Sequence, residues 1–364
     1  MANEKIGFAG LGLIGGSIAR AIHEALPDKQ LVAYDPDYDS LKKAFEEGTV
    51  QKYSVSIGSD FDGCSFIFLC APVHTNIENM ELLKSHIGPD TILTDVGSVK
   101  GPISEKVRLS GLDDVFIGGH PMTGSEKTGY ENSDASFLEN AYYIITPGSR
   151  VSDTKIKLLS ALIHEIGAIP MVMDPGEHDR VVAAVSHLPH IISASLVDLV
   201  KDSDKDGLMK QIAAGGFKDI TRISSSSPVM WQQISLANRD KIISLLDQYI
   251  ERLTNVRSLL ADGKGDDLYS LFDDARTYRD TFSNTPSGPI KSSFVITADI
   301  ADRPGTIAAI ASLLAMHDVS IRDIGINHNR ELSEGALRIE FYDKKAMDDA
   351  VEVLRSHGYT VHTF

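Results

Sequence analysis

Residues 118–129 read GGHPMTGSEKTG, and the one imidazole in that stretch, His120, closes a run with strand character. Ser98, in DVGSVKG (95–101), sits in the same way after another apolar run. A neutral imidazole beside a hydroxyl and a cofactor can take a proton while a hydride leaves. Further along, SHLPH supplies His187 and His190, and FKDITR supplies Asp219 and Arg222. A guanidinium can hold a carboxylate through two parallel hydrogen bonds, so Arg222 is a candidate for an anionic substrate. Its alternative is an ion pair with Asp219. Pro189 fits the first turn of a helix, where its missing amide costs nothing, and His190 could then donate to a substrate carboxylate. His178, His187 and His190 near Asp179 raise the question of a metal. No HExxH-like spacing occurs, so none is expected, and helix packing suits His187 better than His190. Asp179 is expected to pair with a basic neighbour.

These residues need elements to position them. KIGFAG, LVAYD, SFIFLCAP, TILTDVGS, DVFIGGH, AYYIITP and IPMVMDP are short apolar runs separated by helical patterns. Runs of this kind suit a parallel sheet with both faces covered. That places Ser98 and His120 at the carboxyl edge, where open α/β sheets bind ligands. The glycines before His120 are expected to leave room for a ring or a nicotinamide. Ser98 could instead cap a helix.

Gly10, Gly12 and Gly15, with Leu13 and Ile14 between the last two, form a GxGxxG turn between a strand and a helix, and Asp35 ends the next strand. Gly10 would make the turn, Gly12 admit a pyrophosphate and Gly15 allow close helix packing. Asp35 would accept hydrogen bonds from ribose hydroxyls and repel a 2′-phosphate, which favours NAD over NADP. From Glu177 onward the pattern becomes long helices to residue 282. SNTPSGPIKSS (283–293) is a linker by composition. The remainder reads strand, helix, strand, strand, helix, strand, the order of a ferredoxin-like unit. The expected fold is therefore α/β: a Rossmann-type domain (1–174), a helical domain (175–282), the linker and a ferredoxin-like domain (294–364).

The net charge of −16 opposes binding to nucleic acid or to an anionic membrane surface. Cys64 and Cys70 form no CxxC pair, and no secretory or membrane-spanning pattern is evident, so a cytoplasmic protein is expected.

DVGSVKG, GGHPMTGSEKTG, EHDRVVAAVSHLPH and FKDITRISSSSPVMW, in that order behind the glycine turn, resemble the prephenate dehydrogenase family over about residues 5–282. The last ~70 residues resemble an ACT regulatory domain, with Asp302, Arg303, Pro304 and Gly305 as the loop before its first helix. The resemblance implies NAD-dependent oxidation and decarboxylation of prephenate to 4-hydroxyphenylpyruvate by a homodimer, with tyrosine as an effector. It implies that His120 binds the C4 hydroxyl, that Ser98 orients that imidazole, and that Arg222 holds a carboxylate. Glu126 would line or gate the site, its alternative being a solvated loop carboxylate. Asp219 and Trp231 would lie near the active site, in the same or the partner subunit, and packing is the alternative for Trp231. Arogenate is the alternative substrate, and a non-catalytic nucleotide- and amino-acid-binding regulator is the alternative from another class.

Overall fold

The computed structural model describes residues 4–124, 127–282, 294–301, 303, 305–327, 334–342 and 344–363. Glu126, Asp302 and Pro304 lie outside the described residues. Contacts divide the chain into two units, Met1–Ser287 and Gly288–Phe364.

The first unit is built on eight strands: β1 (Lys5–Ala9), β2 (Gln30–Tyr34), β3 (Lys52–Ser54), β4 (Cys64–Leu69), β5 (Ile92–Asp95), β6 (Phe116–Pro121), β7 (Tyr142–Pro147) and β8 (Ile169–Val172). Their order is β3-β2-β1-β4-β5-β6-β7-β8. The order reverses between β1 and β4, which makes the switch point where dinucleotides bind in open α/β sheets. All neighbours are parallel except β6 and β7, so the expectation of parallel pairing fails at that one place. Among the described residues no α-helix joins β6 to β7; the connection carries only the short 3-10 turns Tyr130–Asn132 and Ala135–Leu138, which permits the antiparallel pairing. Strand β3, too short to show periodicity, has no counterpart in the expected runs.

Helices cover both faces of this sheet. Helices α1 (Leu13–Ala25) and α2 (Tyr38–Glu46) pack on one face around Ile6, Phe8, Ile18 and Ile22. Helices α3 (Val73–Leu83) and α4 (Gly101–Ser110) pack on the other around Ile67, Leu69, Met80 and Ile103. Helix α5 (Asp153–Glu165) returns to the first face through Leu159 and Ile163.

Asp174 caps the next helix by accepting from the Gly176 and Glu177 amides. That helix, α6 (Pro175–Val182), passes through a π-helical turn at Ala183–His187 into α7 (Leu188–Ser203). Pro189 therefore lies inside a continuous helical run, Pro175–Ser203, rather than at a fresh helix start. The wide turn accommodates the ring that would otherwise clash with the preceding carbonyl. The helices α8 (Leu208–Ile212), α9 (Gly215–Thr221), α10 (Pro228–Ala237), α11 (Arg239–Ala261) and α12 (Gly265–Asp280) complete the unit. Ile212, Val229, Leu236, Leu260 and Phe272 stand on these helices more than half exposed.

The second unit runs β9 (Phe294–Ala301), α13 (Thr306–Met316), β10 (Ile321–Asn327), β11 (Glu334–Phe341), α14 (Lys344–Ser356) and β12 (Val361–Thr363). Its antiparallel sheet has the order β10-β11-β9-β12. Ile296, Ala298, Leu337 and Ile339 form its core with Ile310, Leu314 and Leu354. Gly305 precedes α13 with φ +92°, and the exposed Arg303 accepts the Thr306 amide and hydroxyl through its carbonyl.

Candidate active site

The nucleotide turn is shaped by its glycines and by Asp35. Gly10 has φ +106°, which only glycine adopts without strain. A Cβ on Gly15 would stand 2.6 Å from the Gly10 carbonyl oxygen, whereas one on Gly12 would meet nothing within 4 Å. Gly15 is thus packed against the turn, and Gly12 borders open space. Among the described residues no side chain caps the start of α1, where helix amides can receive a phosphate. The carboxylate of Asp35 accepts the Leu11 amide at 2.6 Å and the Asp37 amide at 2.8 Å. It thus braces the turn that precedes α1, and each oxygen keeps a further lone pair for a ribose hydroxyl. Leu13 and Ile14 form the first helical turn behind Gly12.

At the ends of β5 and β6 a buried ion pair joins two strands. Asp95 and Lys100 are both essentially inaccessible, with Lys100 Nζ 2.5 Å from Asp95 Oδ2 and 2.5 Å from the Gly119 carbonyl. Asp95 also accepts the amides of Gly97 and Gly119. Burial lowers the Lys100 pKa, and the adjacent Asp95 charge works against that shift. The two glycines before His120 serve this packing. A Cβ on Gly119 would lie 2.5 Å from the Asp95 carbonyl and 2.8 Å from the Tyr143 hydroxyl. One on Gly118 would collide with Thr146. The Cβ directions at both glycines are filled by the protein's own atoms.

His120 is half-buried at the end of β6. Its Nδ1 lies 2.8 Å from Nε2 of the fully buried His178, whose Nδ1 lies 2.8 Å from Asp179 Oδ1. Asp179 in turn accepts the amides of Lys100 and Gly101, each at 2.8 Å, and so caps α4 from outside the helix. Burial would raise the Asp179 pKa, but the bonds from His178 and the two amides outweigh it and lower the value. The basic neighbour expected for Asp179 is thus His178 together with a helix N-terminus. Ser98, half-buried beyond β5, makes no hydrogen bond to the His120 ring among the described residues. It is not the cap of α4 either, because Asp179 takes the first amides. The ring partner expected in Ser98 is found instead in His178.

Burial comes first in holding the His120 pKa well below 6.5, followed by the charge of Lys100 and by His178 and His187. The ring is therefore neutral at physiological pH and able to accept a proton.

A second cluster lies on the helical part. His190 stacks on Trp231 with ring centroids 3.5 Å apart, and His187 meets the same indole edge-on at 6.0 Å. His190 Nδ1 is 3.0 Å from the Ser186 carbonyl, which can only accept, so Nδ1 carries the hydrogen. Burial and the nearby Arg222 charge lower the His190 pKa, so neutral His190 offers an acceptor at Nε2. The expected donor role toward a carboxylate therefore needs protonation of that ring. His187 is buried and bonded to Asn238, with burial bringing its pKa to about 4, in keeping with helix packing. Trp231 Nε1 is buried without a partner among the described residues. The indole borders a groove of about 370 Å³ lined also by His190, Ser224, Ser226, Gln232 and Ser235. Arg222 and Asp219 are both exposed, and no ion pair between them occurs among the described residues.

A dinucleotide turn at the sheet's switch point, with a neutral imidazole at the same carboxyl edge, defines an NAD-dependent dehydrogenase. The comparisons narrow the class. Residues 18–172 match the nucleotide-binding domain of prephenate dehydrogenase, and residues 174–274 match the dimerization domain of the same family. Prephenate dehydrogenase of Bacillus subtilis (strain 168) is 36% identical over 357 residues, 96% of this chain and 96% of that protein. The solved Aquifex aeolicus prephenate dehydrogenase, in complex with hydroxyphenyl propionate and NAD+, is 29% identical. It superposes with a TM-score of 0.73, covering 78% of this chain and 99% of that one. Synechocystis arogenate dehydrogenase is also 29% identical, with a TM-score of 0.69 over 77% of this chain and all of the other. The chain belongs to the prephenate dehydrogenase family.

Proposed function

We propose that this enzyme converts prephenate and NAD+ into 4-hydroxyphenylpyruvate, CO2 and NADH, with His120 as the proton acceptor. The observation that carries the reading is His120 at the carboxyl edge of β6, its Nδ1 taken by His178 and its pKa held well below 6.5 first by burial. Gly10, Gly12, Gly15 and the N-terminus of α1 would hold the pyrophosphate and Asp35 the adenosine ribose. NAD+, when bound, accepts the hydride from C4 of the substrate.

His120 takes the C4 hydroxyl proton as that carbon is oxidised. Electrons from the breaking C1–carboxylate bond enter the ring and CO2 departs. The proton then returns to the oxygen of the new phenol, so no net proton leaves. Aromatisation drives the step, and the protein supplies orientation and one acceptor. Ser98 lies beyond β5, where it could meet the substrate hydroxyl or the nicotinamide. Arg222 would pair with a substrate carboxylate, with Trp231 and His190 forming an aromatic wall and Asp219 and Glu126 at the rim.

Two expected results test these roles. Arg222→Ala raises the prephenate KM about tenfold or more, as loss of a charged hydrogen bond of ~1.5–3 kcal/mol requires, and leaves the NAD KM unchanged. On acidification kcat/KM falls with a midpoint below 6.5, because protonated His120 cannot accept. Burial of the ring comes first in setting that midpoint, followed by Lys100, His178 and His187. A midpoint at or above 6.5 would point to another base.

Arogenate is the second reading, favoured by the similarity to the Synechocystis enzyme. NADH absorbance on mixing the protein with NAD+ and either substrate separates the two: prephenate is turned over with the higher kcat/KM. Lack of turnover with both substrates would leave the regulator reading. The exposed apolar side chains of the helical part suit a homodimer. The β-α-β-β-α-β order of the second unit suits a ferredoxin-like ACT domain, with Arg303 and Gly305 at its effector loop. Tyrosine is its proposed ligand, checked by whether it changes turnover.

A further inference from the structure

When both rings are neutral, the distances along Asp179, His178 and His120 constrain where the imidazole hydrogens sit. The Asp179 carboxylate already takes two backbone amides and stays ionised, so it can only accept from His178 Nδ1. A neutral His178 with its hydrogen on Nδ1 has a bare Nε2, and that atom must accept from His120 Nδ1 at 2.8 Å. His120 is then left with its lone pair on Nε2. With the opposite tautomer, two bare nitrogens would face each other inside the protein, at the cost of an unmade buried hydrogen bond. The chain also joins three elements. His178 and Asp179 lie on α6, whereas His120 ends β6 and the capped amides begin α4.

We infer that His178 and Asp179 are positioning residues for the reaction: together they fix His120 in the tautomer whose Nε2 can accept a proton. When Nε2 takes the substrate proton, the positive charge on His120 strengthens its bond to His178, and Asp179 lies behind it as a fixed anion. The proton need not travel along the chain, because the phenol oxygen takes it back. The inference rests on the proposed role of His120.

The test compares wild-type protein with His178→Ala and His178→Gln, glutamine keeping a carbonyl able to accept from His120 Nδ1. Expected are a drop in kcat of about 30-fold or more for the alanine variant, as for an imidazole held in the wrong tautomer, and substantial recovery with glutamine. The KM for prephenate and the NAD affinity stay within threefold. Nitrogen-15 NMR of the wild-type protein shows His120 protonated at Nδ1 and bare at Nε2, a readout independent of turnover and of how the variants fold. Turnover of the alanine variant within threefold of wild type, or a wild-type His120 protonated at Nε2, overturns the inference. Absence of prephenate oxidation by wild-type protein would instead refute the proposed function, and the NMR result would still decide the tautomer.

Discussion

His120→Asn lowers kcat by about 10²–10⁴-fold, the usual contribution of a positioned general base, while NAD affinity changes less than twofold. Asparagine is close in volume and can still donate to His178, so the fold around β6 is kept. What it lacks is a basic nitrogen at the position of Nε2. The nucleotide turn lies at the end of β1, with β4 and β5 between it and β6, which is why cofactor binding is insulated from the change. Steady-state kinetics with a separate titration of NAD measures both quantities. A kcat within threefold of wild type would remove His120 from the chemistry.

Asp95→Ala destabilises the protein by about 3–5 kcal/mol, the cost of leaving a buried cation without its partner. Lys100 is wholly inaccessible, and Asp95 is the only carboxylate paired with its ammonium among the described residues. The same carboxylate holds the Gly97 and Gly119 amides, so its loss also loosens the strand that presents His120. Adding Lys100→Met to the variant recovers part of the loss by removing the stranded charge. Urea denaturation of the three proteins gives the comparison. Equal midpoints for wild type and Asp95→Ala would show that the pair contributes nothing.

Much of the nucleotide-binding part was legible because its signals are local. An apolar strand, a GxGxxG turn and an acidic residue at the end of the next strand act within about thirty residues. The antiparallel β7 was not legible: AYYIITP has the same apolar run in either direction, and its pairing depends on the absence of a crossover helix. The site was half legible. His120, Ser98 and Arg222 stand out by residue type, but the partner of His120 comes from 58 residues away. No spacing rule connects GGHP to EHDR. Lys100 and Asp95 sat in plain view in DVGSVKG, and a lysine five residues from an aspartate could have been read as a pair. Its burial, however, depends on Gly118 and Gly119, whose missing side chains make the space. The π-helical turn before Pro189 was likewise hidden, since a proline after apolar residues reads as a helix start.

A crystal structure with NAD+ and 4-hydroxyphenylpyruvate tests the proposed chemistry most directly. The account predicts the phenol oxygen at about 2.6–3.2 Å from His120 Nε2, with C4 facing the nicotinamide. A product bound with that oxygen turned away from His120 and hydrogen-bonded to a different base would contradict it.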